Sequence, residues 1–128
     1  MTSFKALPNK RAVSGDEAVE NLWPELGDEI ELNQFYNRYD GAEGWLGEGY
    51  LAIWTRQEIE DFQGQNLQAY PTTYRFFASD GGVTQFGFFA ENGRVSYVSA
   101  PDIGGEEDVR VLGNWAQFLE LIAAGDYI

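Results

Sequence analysis

A chain of 128 residues, 44% hydrophobic and 16% aromatic, has the length of one domain and enough apolar side chain for a core, which excludes a disordered chain. Its 21 acids against 8 bases leave a formal charge of −13, a field that repels nucleic acid and anionic membranes and favours encounter with basic partners. The absence of histidine and cysteine excludes, within this chain, Ser–His–Asp and Cys–His nucleophiles, disulfides, and the usual zinc, haem and iron–sulfur ligand sets.

The first fifteen residues hold Lys5, Lys10 and Arg11 and no acid. They lack the continuous apolar segment of a secretory signal, and no apolar run is long enough to span a bilayer, so a cytoplasmic protein is expected. Residues 1–13 read as an extension or edge element of a single domain covering 1–128. Ser14 stands three positions before Glu17 and Pro24 follows Trp23, which predicts a helix over 14–23. Asp28, with Glu31 three residues on, predicts the cap of a second helix. Its Leu32, Phe35, Tyr36 and Tyr39 share one face, and Asp40-Gly41 supplies the stop.

The stretch RYDGAEGWLGEGYLAIW (residues 38–54) sets four glycines around two tryptophans. Residues 41–49 read as a glycine-rich connector that reverses the chain between helix and sheet, and YLAIW (50–54) as a buried strand. Thr55 and Glu58 predict the start of a third helix carrying Ile59 and Phe62. Three β-rich runs follow, at 73–79, 83–89 and 94–100, joined by Asp80-Gly81-Gly82 and Glu91-Asn92-Gly93, which predicts an antiparallel meander. A glycine-rich acidic loop then leads to a short strand at 109–112. The last helix starts at Asn114, stops at Gly125, and lines up Trp115, Phe118, Leu119 and Ile122. The fold class is therefore α+β: a central antiparallel sheet, a meander of at least three strands plus the strand at 50–54, packed with amino-terminal and carboxy-terminal helices.

The remaining catalytic chemistry is that of carboxylates. Residues 47–52 (GEGYLA) match the dinucleotide fingerprint formally, but a helix precedes them and a strand follows, the reverse of what phosphate binding at a helix terminus needs. Glu58-Glu60-Asp61 and Glu106-Glu107-Asp108 are neighbours along the chain, whereas a glycosidase pair needs two acids facing each other about 5–9 Å apart across a cleft. The calcium-loop pattern is absent. No enzyme activity, cofactor or metal is expected; a carboxylate-based hydrolase is the alternative from another class.

The order of elements resembles the SMI1/KNR4 family, also called the SUKH superfamily. The residues that carry the resemblance are Asp40-Gly41, Glu43-Gly44-Trp45-Leu46-Gly47, Tyr50-Leu51-Ala52-Ile53-Trp54, Gln57-Glu58-Ile59, and Gly113-Asn114-Trp115 with Phe118-Leu119, over roughly residues 28–125. The amino-terminal NLWPELGDEI departs from that family's usual wording. The resemblance implies a non-catalytic protein-binding module: in bacteria an immunity protein that neutralises a cognate toxin, in fungi a regulatory scaffold of cell-wall synthesis and signalling.

A basic toxin domain such as a nuclease holds phosphates on a cationic surface, and an inhibitor of opposite field would cover it. The acids in predicted loops are therefore the candidate partner-binding residues: Asp40, Glu43, Glu48, Asp80, Asp102, Glu106, Glu107 and Asp108. Trp45 joins them as an interface anchor, against the alternative that it folds back as a lid on the core. Trp54 and Trp115 fall inside regular patterns and are expected in the core.

Overall fold

In the computed structural model the described residues are 7, 23, 26, 30–63, 74–101 and 105–128. The expected helix over 14–23 lies outside them apart from Trp23, as do Asp28, Asp102 and the side chain of Phe62. Leu7, in the stretch read as an extension, is buried in the core.

Helix α1 (Glu31–Arg38) starts at Ile30, which gives no side-chain cap. The expected start at Asp28 is thus two residues early, and packing holds the first turn: Leu32, Asn33, Phe35 and Tyr36 are all buried. Asn33 acts as a piece of backbone. Its Oδ1 accepts from the Trp23 N–H at 3.0 Å and its Nδ2 donates to the Trp23 carbonyl at 2.9 Å, pairing both main-chain groups of a buried residue.

The stretch expected to be a connector is instead half a β-hairpin. Strand β1 (Ala42–Leu46) pairs along its whole length with β2 (Gly49–Ile53), from Ala42 opposite Ile53 to Leu46 opposite Gly49. Gly47, at φ 60°, supplies the positive φ that a two-residue hairpin turn demands. Gly47 and Gly49, the first residue of β2, also sit against the end of the last helix. A Cβ on Gly47 would lie 2.5 Å from the Ala123 carbonyl oxygen, and one on Gly49 would overlap the carbonyl oxygen of Ile122. Glycine is there because two backbones meet.

After β2 comes α2 (Arg56–Gln63), opened by the expected capping box. Glu58 accepts from the Thr55 N–H at 3.0 Å, and Thr55 Oγ1 accepts from the Glu58 N–H at 3.1 Å. Strands β3 (Arg75–Ser79), β4 (Thr84–Glu91), β5 (Arg94–Pro101) and β6 (Arg110–Gly113) complete a six-stranded antiparallel sheet in the order β1-β2-β3-β4-β5-β6. Asn92 and Gly93, at φ 52° and 77°, make the tight β4–β5 turn expected of that dipeptide.

One face of the sheet carries Leu51, Ile53, Phe77, Phe86, Phe88 and Tyr97 into the main core with α1 and the last helix, α3 (Trp115–Ala123). An irregularity in β3 between Phe76 and Ala78 turns both Phe77 and Ala78 toward that core. Phe118 of α3 lies at its centre, with the rings of Phe77, Phe86, Tyr97 and Trp115 at 5.3–5.9 Å. Phe76 and Ala100 form a smaller cluster on the other face with Trp54, Tyr74 and Val109. The chain is an α+β fold.

The meander also decides where the loops fall. Each strand reverses the last, so the β1–β2, β3–β4 and β5–β6 connections share one end of the sheet. The α1–β1 junction, α2, the β4–β5 turn and the start of α3 share the other. Helix α3 returns its last turn to the first end, where the Glu48 N–H donates to the Ala123 carbonyl at 2.8 Å.

Candidate functional site

The end of the sheet formed by the three odd-to-even connections collects most of the candidate acids. Glu48 sits on the β1–β2 turn and is exposed. Glu106, Glu107 and Asp108 form a single 3-10 turn in the β5–β6 connection, all three exposed, with Asp108 Oδ2 accepting from the Gly105 N–H at 3.0 Å. Asp126, just after α3, adds a further exposed acid, and the α3 C-terminus contributes the negative end of its dipole. Arg110, the first residue of β6 beside this end, pairs with Asp126 at 3.2 Å.

Not every candidate belongs to this surface. Asp40 lies at the opposite end, half-buried, with Oδ1 accepting from the Arg56 N–H at 2.8 Å, so it anchors the first turn of α2. Asp80 is at the acidic end but is used inside the fold. Its Oδ1 accepts from the N–H groups of Gly82 and Thr84 at 2.8 and 3.2 Å, and its Oδ2 takes the Tyr127 hydroxyl at 3.1 Å. Burial first, then this bond, raise the Tyr127 pKa, keeping the phenol a donor. Tyr127 also lays its ring 5.1 Å from Phe86, and its carbonyl accepts from Ser99 Oγ. The chain after α3 thereby straps the end of the sheet.

The hydrophobic residues are the second half of the site. The large hydrophobics left exposed among the described residues are Trp45 (69%), Val83 (67%), Val111 (57%) and Ile128 (85%). All four stand at or beside the acidic end. Trp45 is next to the last residue of β1, Val83 is in the β3–β4 loop, and Val111 is the second residue of β6. Ile128 is held to the same place by Arg110 Nη1, which donates to its carbonyl at 2.9 Å. Trp45 is therefore no lid; Trp115 is buried in the core as expected, and Trp54 is half-buried between the two clusters.

Around Trp45 the hairpin register builds a small cluster. Tyr50 lies directly opposite, with ring centroids 5.4 Å apart at 83°. Glu43, two residues before Trp45 on the same face of β1, accepts the Tyr50 hydroxyl at 2.5 Å, and that bond raises the Tyr50 pKa. Val83, Val111, Ile128, Tyr50 and Asp126 escaped the sequence reading. One signal was present: Val83 is a β-branched residue directly after a turn sequence, where a polar residue is usual.

No group of three carboxylates gathers closely enough for a metal ion, and no helix is long and apolar enough to cross a membrane, among the described residues. No protein-family model matches the chain, and no curated protein matches it.

Proposed function

We propose that this chain is a non-catalytic protein-binding module whose acidic end receives a basic protein partner. The most specific form of the reading is an immunity protein of the SMI1/KNR4 type, acting in the cytoplasm and neutralising a cognate bacterial toxin by covering its active surface. The observation that carries it is the coincidence, at one end of the sheet, of exposed acids and of Trp45, Val83, Val111 and Ile128. Acids alone would serve solubility, and scattered apolar residues need no explanation. Together they supply what an interface uses: charge to steer the encounter, and apolar area with an aromatic anchor to hold it. A toxin that acts on nucleic acid must carry the complementary cationic surface.

The test joins capture to rescue. The tagged full chain is used as bait in lysate of its native cell at low and high salt, and each retained protein is then expressed alone and together with the chain. The reading expects a basic protein, retained less at high salt, that arrests growth alone and does not when co-expressed. A retained partner that is harmless when expressed alone overturns the toxin assignment, and one retained equally at both salts overturns the electrostatic one.

A further inference from the structure

The geometry points to Trp45 as the seat of one arginine side chain of that basic partner, its guanidinium stacked on the indole face beside Tyr50 and Glu43. This rests on the reading of the acidic end as a protein-binding surface and names the chemistry of its central contact.

Three features separate Trp45 from an incidental surface tryptophan. It is held, although it is exposed: the Tyr50 ring stands edge-on to it across the hairpin, the Glu43 carboxylate fixes the Tyr50 hydroxyl, and the β3–β4 loop backs the phenol, since a Cβ on Gly81 would lie 3.1 Å from that ring. An aromatic platform already ordered loses little freedom on binding. Its surroundings are negative, with Glu43 on the same strand face and Glu48 on the adjoining turn of a chain carrying −13. An indole is the best π-face for a cation, and among cations the planar, weakly hydrated guanidinium stacks where an ammonium stays solvated.

Other occupants fit less well. A second copy of this chain brings another −13 and is repelled. A phosphate or an anionic lipid headgroup meets the same field. A purely apolar side chain would gain nothing from Glu43.

The probe is N-acetyl-arginine amide added to the ¹⁵N-labelled full chain, with the isosteric but neutral N-acetyl-citrulline amide and N-acetyl-lysine amide as comparisons. Four indole N–H resonances are available, and Trp45→Phe assigns the relevant one. The expected result is a saturable shift of the Trp45 indole with the arginine probe. Binding of citrulline should be weaker by about five- to tenfold, the range a partly exposed cation–π contact gives. Trp45→Ala should abolish the response while the backbone spectrum stays folded. An unmoved Trp45 indole, or equal shifts from arginine and citrulline, overturns the proposal; a stronger response to lysine overturns the guanidinium in favour of an ammonium. Loss of the probe response with partner capture intact sinks this inference alone. Loss of salt-sensitive capture with the probe response intact sinks the partner reading and leaves an arginine-binding platform.

Discussion

At the scale of single residues, buried polar groups show most clearly what the fold depends on. Asn33 supplies a partner to both main-chain groups of Trp23, a buried residue whose carbonyl also accepts from the Leu26 N–H at 2.9 Å. Asn33→Ala should therefore cost about 1–3 kcal/mol, because the buried Trp23 N–H loses the Asn33 oxygen while the Trp23 carbonyl keeps the Leu26 N–H. Urea unfolding measures it; a loss within experimental error would mean that water replaces the asparagine. Tyr36 and Tyr97 make a prediction about pH. Burial, reinforced by Asp40 for Tyr36 and by Glu31 for Tyr97, holds both phenols well above the ordinary value of 10.0. Tyr36 donates to the Trp54 carbonyl at 2.6 Å and Tyr97 to Glu31 Oε1 at 3.2 Å. Because the folded state holds these protons more tightly, their stabilisation is complete below about pH 10 and is lost as pH rises toward the raised folded values. Above pH 10 the slope should be about 1.4 kcal/mol per pH unit for each phenol. Tyrosinate absorbance against pH should rise in two stages, the later coinciding with unfolding. A single stage near pH 10 in the folded protein would contradict the burial of these rings.

At the scale of elements, the β1–β2 hairpin shows what could and could not be read from the chain. Helix α3 was legible down to its cap: Asn114 Oδ1 accepts from the Gln117 N–H and Gln117 Oε1 from the Asn114 N–H, both at 2.9 Å. The capping box of α2 and the Asn92-Gly93 turn were equally local, each a short-range hydrogen bond or a φ requirement written into two to four residues. Strand β1 was not. Its alternation of Ala42, Gly44 and Leu46 against Glu43 and Trp45 is a period of two, but the glycine in it reads as a breaker and the strand gains its stability from pairing with β2. Glycines that look like loop chemistry are instead where the hairpin meets α3. Gly49→Ala, which drives a methyl into the Ile122 carbonyl, should cost about 1–3 kcal/mol by overpacking and shift the α3 end. Gly93→Ala, whose new methyl meets open space at φ 77°, should cost only the backbone term of about 1 kcal/mol. Thermal unfolding of the two variants compares them directly. Equal losses would show that steric contact with α3 is not what places glycine at 49.

At the scale of the whole molecule, the alternation of a six-strand meander sorts side chains that no local reading could sort. Glu48, Glu106, Glu107 and Asp108 come to one end because their connections fall an even number of strands apart, whereas Asp40, equally acidic and equally placed in a loop, goes to the other. The exposed hydrophobics follow the same division. The charge of −13 could be read from composition; that a share of its acids gathers at the same end as the exposed apolar residues needed the topology. The most direct test of the acidic end as the binding surface holds charge fixed and moves only its place. Glu48→Lys/Glu107→Lys changes that end, and Glu60→Lys/Glu91→Lys makes the same change in net charge at the opposite end, all four positions being exposed. Each variant and the unaltered chain would be used for quantitative capture from native lysate at low salt. The first pair should lower recovery of the principal partner on the order of tenfold, and the second should leave it near the unaltered level. Equal losses from both pairs would reduce the charge to a diffuse field, and a loss confined to the second pair would place the binding surface at the other end of the sheet.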